Sequence, residues 1–329
     1  MKQIHVIEMG GTISAKGLNR LDLKDYTSGK IHGDDFLRDL PELNHLAHLS
    51  FHSFSNISST KITPSDWIHL REYILSKLEQ TSVDGIVISH GTSTLEETAY
   101  FLHLTVPTKK PIVLVGAQRP YTAISSDAQM NLIQAIRVAA SEEAIGKGVL
   151  VVTNDEISCA RDVTKQSTYR LDTFQSSKHG FLGVVDPDHS VQFYREPVRA
   201  HTYKSSLSQL HITDLPEVAI VYSYAGASSD MIDAIVQSEK FKGIVVAGTG
   251  AGLVSPAELE ALQRATRRGI VVVRSSRVGN GRVVPIKPFE NKPFIAGDDL
   301  LPQKARILLM LSLFMTDDLL KIQNMFNTY

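Results

Sequence analysis

Two short segments place hydroxyl side chains where they can do chemistry. His90-Gly91-Thr92-Ser93-Thr94-Leu95-Glu96-Glu97-Thr98 follows the apolar run Gly85-Ile86-Val87-Ile88 and opens what reads as a helix. A buried strand that turns abruptly into a helix sets small hydroxyls at the helix N-terminus. Unpaired N–H groups and partial positive charge there suit an anion or a developing oxyanion. Thr92 is the first catalytic candidate on these grounds. Gly10-Gly11-Thr12 ends a second apolar run and holds a threonine hydroxyl on a flexible glycine pair. A free hydroxyl is a weak nucleophile, so it needs a base or a neighbour that lowers its pKa. Other chemistries are not signalled. Gly10-Gly11-Thr12 lacks the third glycine of a dinucleotide fingerprint and the Gly-Lys-Ser/Thr of a phosphate loop. There is no Ser-His-Asp order, and His5 and His90 read as structural. The 12 histidines form no His-x-x-x-His pair with a carboxylate on one helix face. No metal and no cofactor are expected.

The elements that must position these segments are legible as runs. Short apolar stretches recur at 3–9, 85–89, 111–115, 149–153, 218–222, 243–247 and 270–274. Helical spacing links Pro64, Trp67, Leu70, Ile74 and Leu78, then Leu132, Ile136 and Ala139, then Pro256, Leu259 and Leu262. Unbroken apolar strands alternating with helices predict an α/β fold with a mostly parallel sheet covered on both faces. Ligands in such folds sit at the carboxyl ends of strands, where both threonine segments lie. Ser93-x-x-Glu96 and Thr94-x-x-Glu97 each match a capping box, and Ser126-Asp127 precedes a helix predicted over 128–140. Residues 305–311 read as a buried helix and 317–326 as a short final one.

The polar, Pro- and Ser-containing stretch 187–213 reads as strand pairs and then a linker. It divides the chain into a larger N-terminal α/β domain over 1–190, a linker over 191–213 and a smaller C-terminal α/β domain over 214–329. With 329 residues, 43% apolar and 21% charged, the chain can bury two cores. A formal net charge of -1 gives no reason to expect nucleic acid or a membrane surface as partner. No apolar run approaches a membrane span, the first residues lack a secretion signal, and Cys159 is the single cysteine. A cytoplasmic location is therefore expected.

Taken together the motifs resemble those of bacterial L-asparaginases. Gly10-Gly11-Thr12-Ile13, His90-Gly91-Thr92-x-Thr94-Leu95-Glu96-Glu97-Thr98-Ala99, Gly116-Ala117-x-Arg119-Pro120, Gly148-Val149-Leu150-Val151-Val152 and Arg161-Asp162-Val163-Thr164-Lys165 stand in the family's order. Val273-Arg274-Ser275-Ser276-Arg277-Val278 and Pro302-Gln303-Lys304-Ala305-Arg306 follow. The resemblance spans essentially the whole chain and is strongest to the type II asparaginase/glutaminase branch. It implies self-association as a homodimer or homotetramer, with sites between subunits, and a small amide as substrate. Carried over by position, Thr12 matches the nucleophile, Tyr26 the tyrosine that activates it, Thr92 the second catalytic threonine and Lys165 the lysine beside it. Ser59 matches a residue that holds the substrate carboxylate. Ala117 matches the turn whose carbonyl receives the amide N–H, and Gly91 and Thr60 flank the same ligand. The implied reaction is attack on a side-chain amide, loss of ammonia and hydrolysis of an acyl-enzyme.

Four positions depart from the family pattern. Ser93 replaces an aspartate, Thr60 a glutamine and Leu253 an asparagine, and Ile286 falls where a partner-donated glutamate is expected. Glu290 is the nearby alternative to that glutamate, and Lys61 and Arg282 are candidate holders of a second carboxylate. The replaced side chains surround the substrate's α-ammonium, which costs several kcal/mol to desolvate without paired acceptors. Loss of the aspartate also predicts a lowered Lys165 pKa. The site thus reads as poorly built for the α-ammonium of asparagine, while the family resemblance keeps asparagine as the default substrate. Its alternatives are an analogue lacking a free α-ammonium, such as a succinamate-like or N-substituted amide, and a non-catalytic binding role.

Overall fold

The computed structural model describes residues 1–80, 82–176 and 179–329. The chain forms two compact units, Met1–His211 and Ile212–Tyr329.

The first unit is built on an eight-stranded sheet. In spatial order its strands are Val191–Phe193, Gly183–Val185, Glu156–Cys159, Val149–Thr153, Ile112–Val115, Gly85–Ser89, Gln3–Glu8 and His48–Ser53. The five strands from Val149–Thr153 to His48–Ser53 pair in parallel, and the other three pair antiparallel. The central strands are buried along their whole length, as their unbroken apolar runs require. Val87, Val113, Val115, Leu150 and Val152 pack in one cluster with Ala128, Leu132, Ala135, Ile136 and Ala139 of the helix Ala128–Ala140. The helix Leu95–Thr105 packs on the Val149–Thr153 strand and against the helix Pro64–Leu78. The Pro64–Leu78 helix starts at a Thr63–Asp66 capping box followed by Pro64, whose fixed φ suits the first helical position.

Strand order explains where a ligand can sit. Gln3–Glu8 lies between Gly85–Ser89 and His48–Ser53, with Glu8 in register with Ser89 on one side and Ser53 on the other. The chain leaves the first strand toward one side and returns on the other. This makes a topological switch point, at which the carboxyl ends of strands open a crevice. Gly10-Gly11-Thr12, Asn56–Ser59 and His90-Gly91-Thr92 all emerge there. The crevice closes to backbone contact at one place. A Cβ on Gly11 would stand 2.4 Å from Gly91 Cα, and Gly11 has φ +89°, a value that L side chains rarely adopt.

The second unit carries a four-stranded parallel sheet in the order Val218–Tyr222, Gly243–Gly248, Val271–Ser276 and Phe294–Ala296. The helices Asp230–Ser238, Pro256–Arg267, Pro302–Met315 and Leu319–Thr328 accompany it. Ser255 and Glu258 form a capping box, and the Glu258 carboxylate also accepts from Ser223 Oγ at 2.7 Å.

The predicted strands and helices fall on these elements within a residue or two at most ends. The stretch 191–213, read as a linker, holds the edge strand Val191–Phe193 and two short 3-10 turns, Thr202–Lys204 and Ser206–Gln209. Polar alternation there marks an antiparallel edge strand with one solvated face. Arg71 ties the end of the stretch down by donating to the carbonyls of Ser208 and Leu210 at 3.0 and 2.9 Å.

Gly11→Ala is expected to destabilise the protein by more than about 2 kcal/mol, since it adds a clash to a strained backbone. Gly226→Ala is the control, because φ there is +80° but nothing lies within 4 Å of a new Cβ. Urea unfolding of both variants checks this, and equal losses would contradict a crevice set by contact between the two loops.

Candidate active site

Two pairs, each built on a threonine hydroxyl, face the crevice. Thr12 opens a 3-10 turn, Thr12–Ser14, and its Oγ1 lies 3.0 Å from Tyr26 Oη. The turn is pinned from outside, because Lys30 and Ile31 donate their backbone N–H groups to the Ser14 carbonyl at 2.7 and 3.1 Å. Tyr26 is presented by a two-stranded ribbon of Lys16–Gly17 and Tyr26–Thr27. In the second pair Lys165 Nζ donates to Thr92 Oγ1 at 2.8 Å. Lys165 sits on a separate ribbon of Thr164–Lys165 and Phe174–Gln175. Both threonines are buried, while Tyr26 and Lys165 are half-buried at the crevice edge.

Glu96 holds the lysine ribbon. Its carboxylate accepts from Thr164 Oγ1 at 2.8 Å and from the Lys165 backbone N–H. This corrects the capping boxes expected at Ser93-x-x-Glu96 and Thr94-x-x-Glu97. Thr94 is the N-cap residue of Leu95–Thr105 but makes no side-chain cap bond, and its hydroxyl donates instead to the Ser59 carbonyl at 2.8 Å. The acid and the hydroxyl that would have closed on the helix both reach outward to position crevice loops. At the later helix start the Asp127 carboxylate likewise accepts from the N–H groups of Gln118 and Arg119, each at 2.9 Å.

Beneath Thr92 a chain of hydrogen bonds has one consistent direction. Trp67 Nε1 donates to Thr98 Oγ1 at 2.9 Å, and Thr98 Oγ1 lies 2.9 Å from His90 Nε2. His90 Nδ1 lies 2.7 Å from the Gly91 carbonyl. An N–H on Nδ1 and a bare Nε2 satisfy every partner, which fixes a neutral tautomer. Full burial pushes the His90 pKa down to about 4, in keeping with that neutral ring. His90 thus anchors the Gly91 backbone and takes no part in proton exchange at neutral pH.

The pairs line a cleft of about 480 Å³ in the first unit. Of the residues singled out in the sequence, Thr12, Tyr26, Ser59, Gly91, Thr92, Ser93 and Lys165 line it. Thr60 and Ala117 are not among the lining residues: the exposed Thr60 hydroxyl lies 2.9 Å from Ser58 Oγ, and Ala117 is buried. Lys61 is exposed, and Arg282 pairs with the buried Asp298 in the second unit. Ser28, Ser58, Gln118, Thr168 and Tyr169 also line the cleft, and the sequence reading did not name them. Gln118 stands at the unspecified position of the Gly-Ala-x-Arg-Pro turn, and Thr168-Tyr169 follow Lys165 closely. Proximity to the named motifs was the only available signal.

The charge of this cleft is one-sided. Among the described lining residues Lys165 is the only one that carries a formal charge, and none is a carboxylate. Burial lowers the Lys165 pKa from the usual lysine value, and the Glu96 carboxylate opposes that shift. The direction matches the one predicted from Ser93, but desolvation is the leading cause. A half-desolvated amine beside a buried hydroxyl gives up its proton more readily than a solvated lysine, which is the direction a general base needs. Among the described residues no group of three or more His, Cys, Asp or Glu is placed to hold a metal ion.

Comparison with known proteins bears on what this arrangement serves. Residues 3–199 match the family described as "Asparaginase, N-terminal", and residues 217–326 match the "Glutaminase/Asparaginase C-terminal domain". The chain belongs to the asparaginase family. It is 42% identical over 329 residues to "L-asparaginase 2" of Bacillus subtilis (strain 168), covering 100% of this chain and 87% of that one. It is 38% identical over 331 residues to "L-asparaginase 2" of Escherichia coli (strain K12), covering 100% and 94%. The solved structure of a probable cytoplasmic L-asparaginase from Campylobacter jejuni superposes with a TM-score of 0.95 at 40% identity, covering 100% of both chains. L-asparaginases are hydrolases acting on amide C–N bonds. As a member of the asparaginase family this chain is such a hydrolase. In the structure Ser93 and Leu253 are exposed and Ile286 is partly exposed.

A rate that depends on neutral Lys165 rises with pH through the lowered lysine pKa. Glu96→Gln removes the charge that raises this pKa, so the acid limb of the kcat/KM profile is expected to move to lower pH. A limb that stays in place or moves up would show that Lys165 is not the titrating group.

Proposed function

We propose that this protein is an asparaginase-like amidohydrolase that releases ammonia from a side-chain carboxamide through a threonyl acyl-enzyme, with L-asparagine as the default substrate. The observation that carries this reading is the pairing of Thr12 with Tyr26 and of Thr92 with Lys165 in one cleft. The names of the relatives support the substrate class, since one from Pseudomonas fluorescens biotype A is "Glutaminase-asparaginase", 38% identical over 332 residues. A pure binding role would not need both pairs.

Thr12 Oγ1 is the nucleophile, oriented by Tyr26. It bonds to the carbonyl carbon, the C–N bond breaks, and the nitrogen leaves as ammonia with the proton that Thr12 gives up. Thr92 and Lys165 supply the proton exchange, and Thr92 stabilises the oxyanion. Water then attacks the ester carbon, the acid departs and Thr12 regains its proton. Ser59 holds the substrate carboxylate, with Ser93 and Gly91 beside it. Thr60 and Ala117 lie outside the described lining, and Ala117 contributes through its backbone carbonyl. No metal or cofactor enters this scheme.

A second reading rests on the lack of a carboxylate in the described cleft wall. An α-ammonium there has hydroxyls but no counter-charge, and bringing it in costs several kcal/mol. An amide whose α-amino group is absent or acylated avoids that cost. Self-association is part of the proposal, as a homodimer or homotetramer whose neighbouring copy completes the site, and so is a cytoplasmic location. The Campylobacter jejuni relative, named a probable cytoplasmic enzyme, supports that location, whereas a 38% identical relative from Haemophilus influenzae is named "Probable L-asparaginase periplasmic". Among the described residues no helix is long and apolar enough to cross a membrane.

Ammonia release from asparagine, glutamine, succinamate and N-acetylasparagine tests both readings. Thr12→Ala is expected to lose roughly a thousandfold or more in kcat on every substrate that wild type hydrolyses. Unchanged turnover in that variant would remove Thr12 as the nucleophile, and no turnover by wild type would remove the enzymatic assignment. Ser93→Asp is expected to raise kcat/KM for asparagine relative to succinamate by tenfold or more, and no gain would sink the second reading.

A further inference from the structure

One sequence motif supplies nothing to the described lining of the catalytic cleft. Val273-Arg274-Ser275-Ser276-Arg277-Val278 lies on the strand Val271–Ser276 and the turn after it, in the second unit. Arg274 is the residue of interest there. It pairs in register with Ala296 of the edge strand Phe294–Ala296, as Val272 pairs with Phe294. Alternate residues of a strand share a face, so Arg274 follows Val272 and Phe294 on the face that packs against Ile232, Ala261 and Leu262. The arginine therefore stands just past that apolar cluster, toward the carboxyl end of its strand. Ligands of parallel sheets collect at such ends.

Arg274 is 2% exposed. A guanidinium has five N–H donors and keeps its charge in proteins. Nη2 donates to the Val284 carbonyl at 2.8 Å. The Phe289 ring covers one face, with its centroid 4.2 Å from Cζ. Nε and Nη1 are buried and have no hydrogen-bond partner among the described residues. Burial lowers the Arg274 pKa, and no neighbouring acid opposes the shift. A buried cation left unpaired is strongly destabilising, and an anion would relieve it.

A cavity of about 450 Å³ has Arg274 in its wall and lies within the second unit. Its apolar part is supplied by Phe289, Phe294 and Ala296. Lys287 and Lys292 also line it, and Glu290 is the one acid among the described lining residues. Glu290 is exposed and is not bonded to the unpaired nitrogens of Arg274. Three cations against one acid favour an anion, and the aromatic walls favour an organic one. The size falls in the range of small-molecule pockets. The cavity shares no described lining residue with the catalytic cleft.

We propose that this cavity binds a small organic carboxylate, with its head on the unpaired donors of Arg274 and its apolar body against Phe289 and Phe294. The two nitrogens are closed to water, so the head meets them as the Phe289 side chain turns aside. Charge-assisted bonds to a guanidinium supply the affinity, and Lys287 and Lys292 add long-range attraction at the rim.

Equilibrium dialysis of radiolabelled benzoate against the full chain, at fixed ionic strength, tests this. Sulfate is the competitor with a charged head and no apolar body. Wild type is expected to hold a benzoate site that survives Ser59→Ala in the catalytic cleft. Arg274→Met is expected to raise its Kd at least tenfold. Two rim variants keep the test independent of folding: Lys292→Met weakens binding about threefold and Glu290→Gln tightens it about threefold. No site in wild type would overturn the proposal, as would a site that Ser59→Ala removes and the two rim variants leave unchanged. Displacement of benzoate by an equal concentration of sulfate would overturn the apolar seat. Binding that appears only in Glu290→Gln would make that acid the partner of Arg274 and overturn the proposal as well.

Discussion

The site depends on the contact between Gly11 and Gly91. Two strands adjacent in the sheet deliver two loops to the same crevice, and their backbones meet where a Cβ on Gly11 would be 2.4 Å from Gly91 Cα. Only glycine can stand at Gly11, for reasons of space and of its positive φ. That contact sets the places of the residues next along each loop, Thr12 and Thr92. The threonines come from segments far apart in sequence and reach one cleft because parallel strands place their carboxyl ends on the same edge.

The second layer of control is electrostatic and works through the backbone. His90 is kept neutral by burial and locks the Gly91 carbonyl from below. Glu96 reaches out of its helix to fix the ribbon that carries Lys165, and it partly restores the lysine pKa that burial lowers. One acid thus fixes the place of the amine and moderates its proton affinity. A side chain that only capped a helix would do neither.

The sheet core was legible because parallel strands buried on both faces are unbroken apolar runs, as Gly85–Ser89 and Val149–Thr153 are. The helix Pro64–Leu78 was legible from its spacing and from Pro64. His48–Ser53 was not read as a strand, because an edge strand with half-exposed, polar residues has no such run. Strand pairs are expected within 187–213, but the polar alternation sets no sharp boundary, so the edge strand Val191–Phe193 falls past the expected linker start at 191. At the site, the two threonine loops could be found from glycine, hydroxyl and strand-end patterns alone. Tyr26, Ser59 and Lys165 were reached through family motifs, since each is brought in by tertiary folding and has no local signature. The capping boxes misled because Ser93-x-x-Glu96 fixes only a spacing, and the stronger partners of Glu96 lie on a ribbon nearly seventy residues away. Gln118 and Tyr169 hold no specified position of a motif, and only their proximity to Gly-Ala-x-Arg-Pro and to Lys165 pointed to them before the cleft did.

The central claim is that Thr12, held by the Gly11–Gly91 contact and oriented by Tyr26, carries the acyl group. Rapid acid quenching of the enzyme during turnover, followed by proteolysis and mass spectrometry of the peptides, tests it directly. An acyl adduct is expected on the peptide bearing Thr12, and it disappears in Thr12→Ala. An adduct on Thr92 would contradict it, as would turnover that continues with no adduct on either threonine.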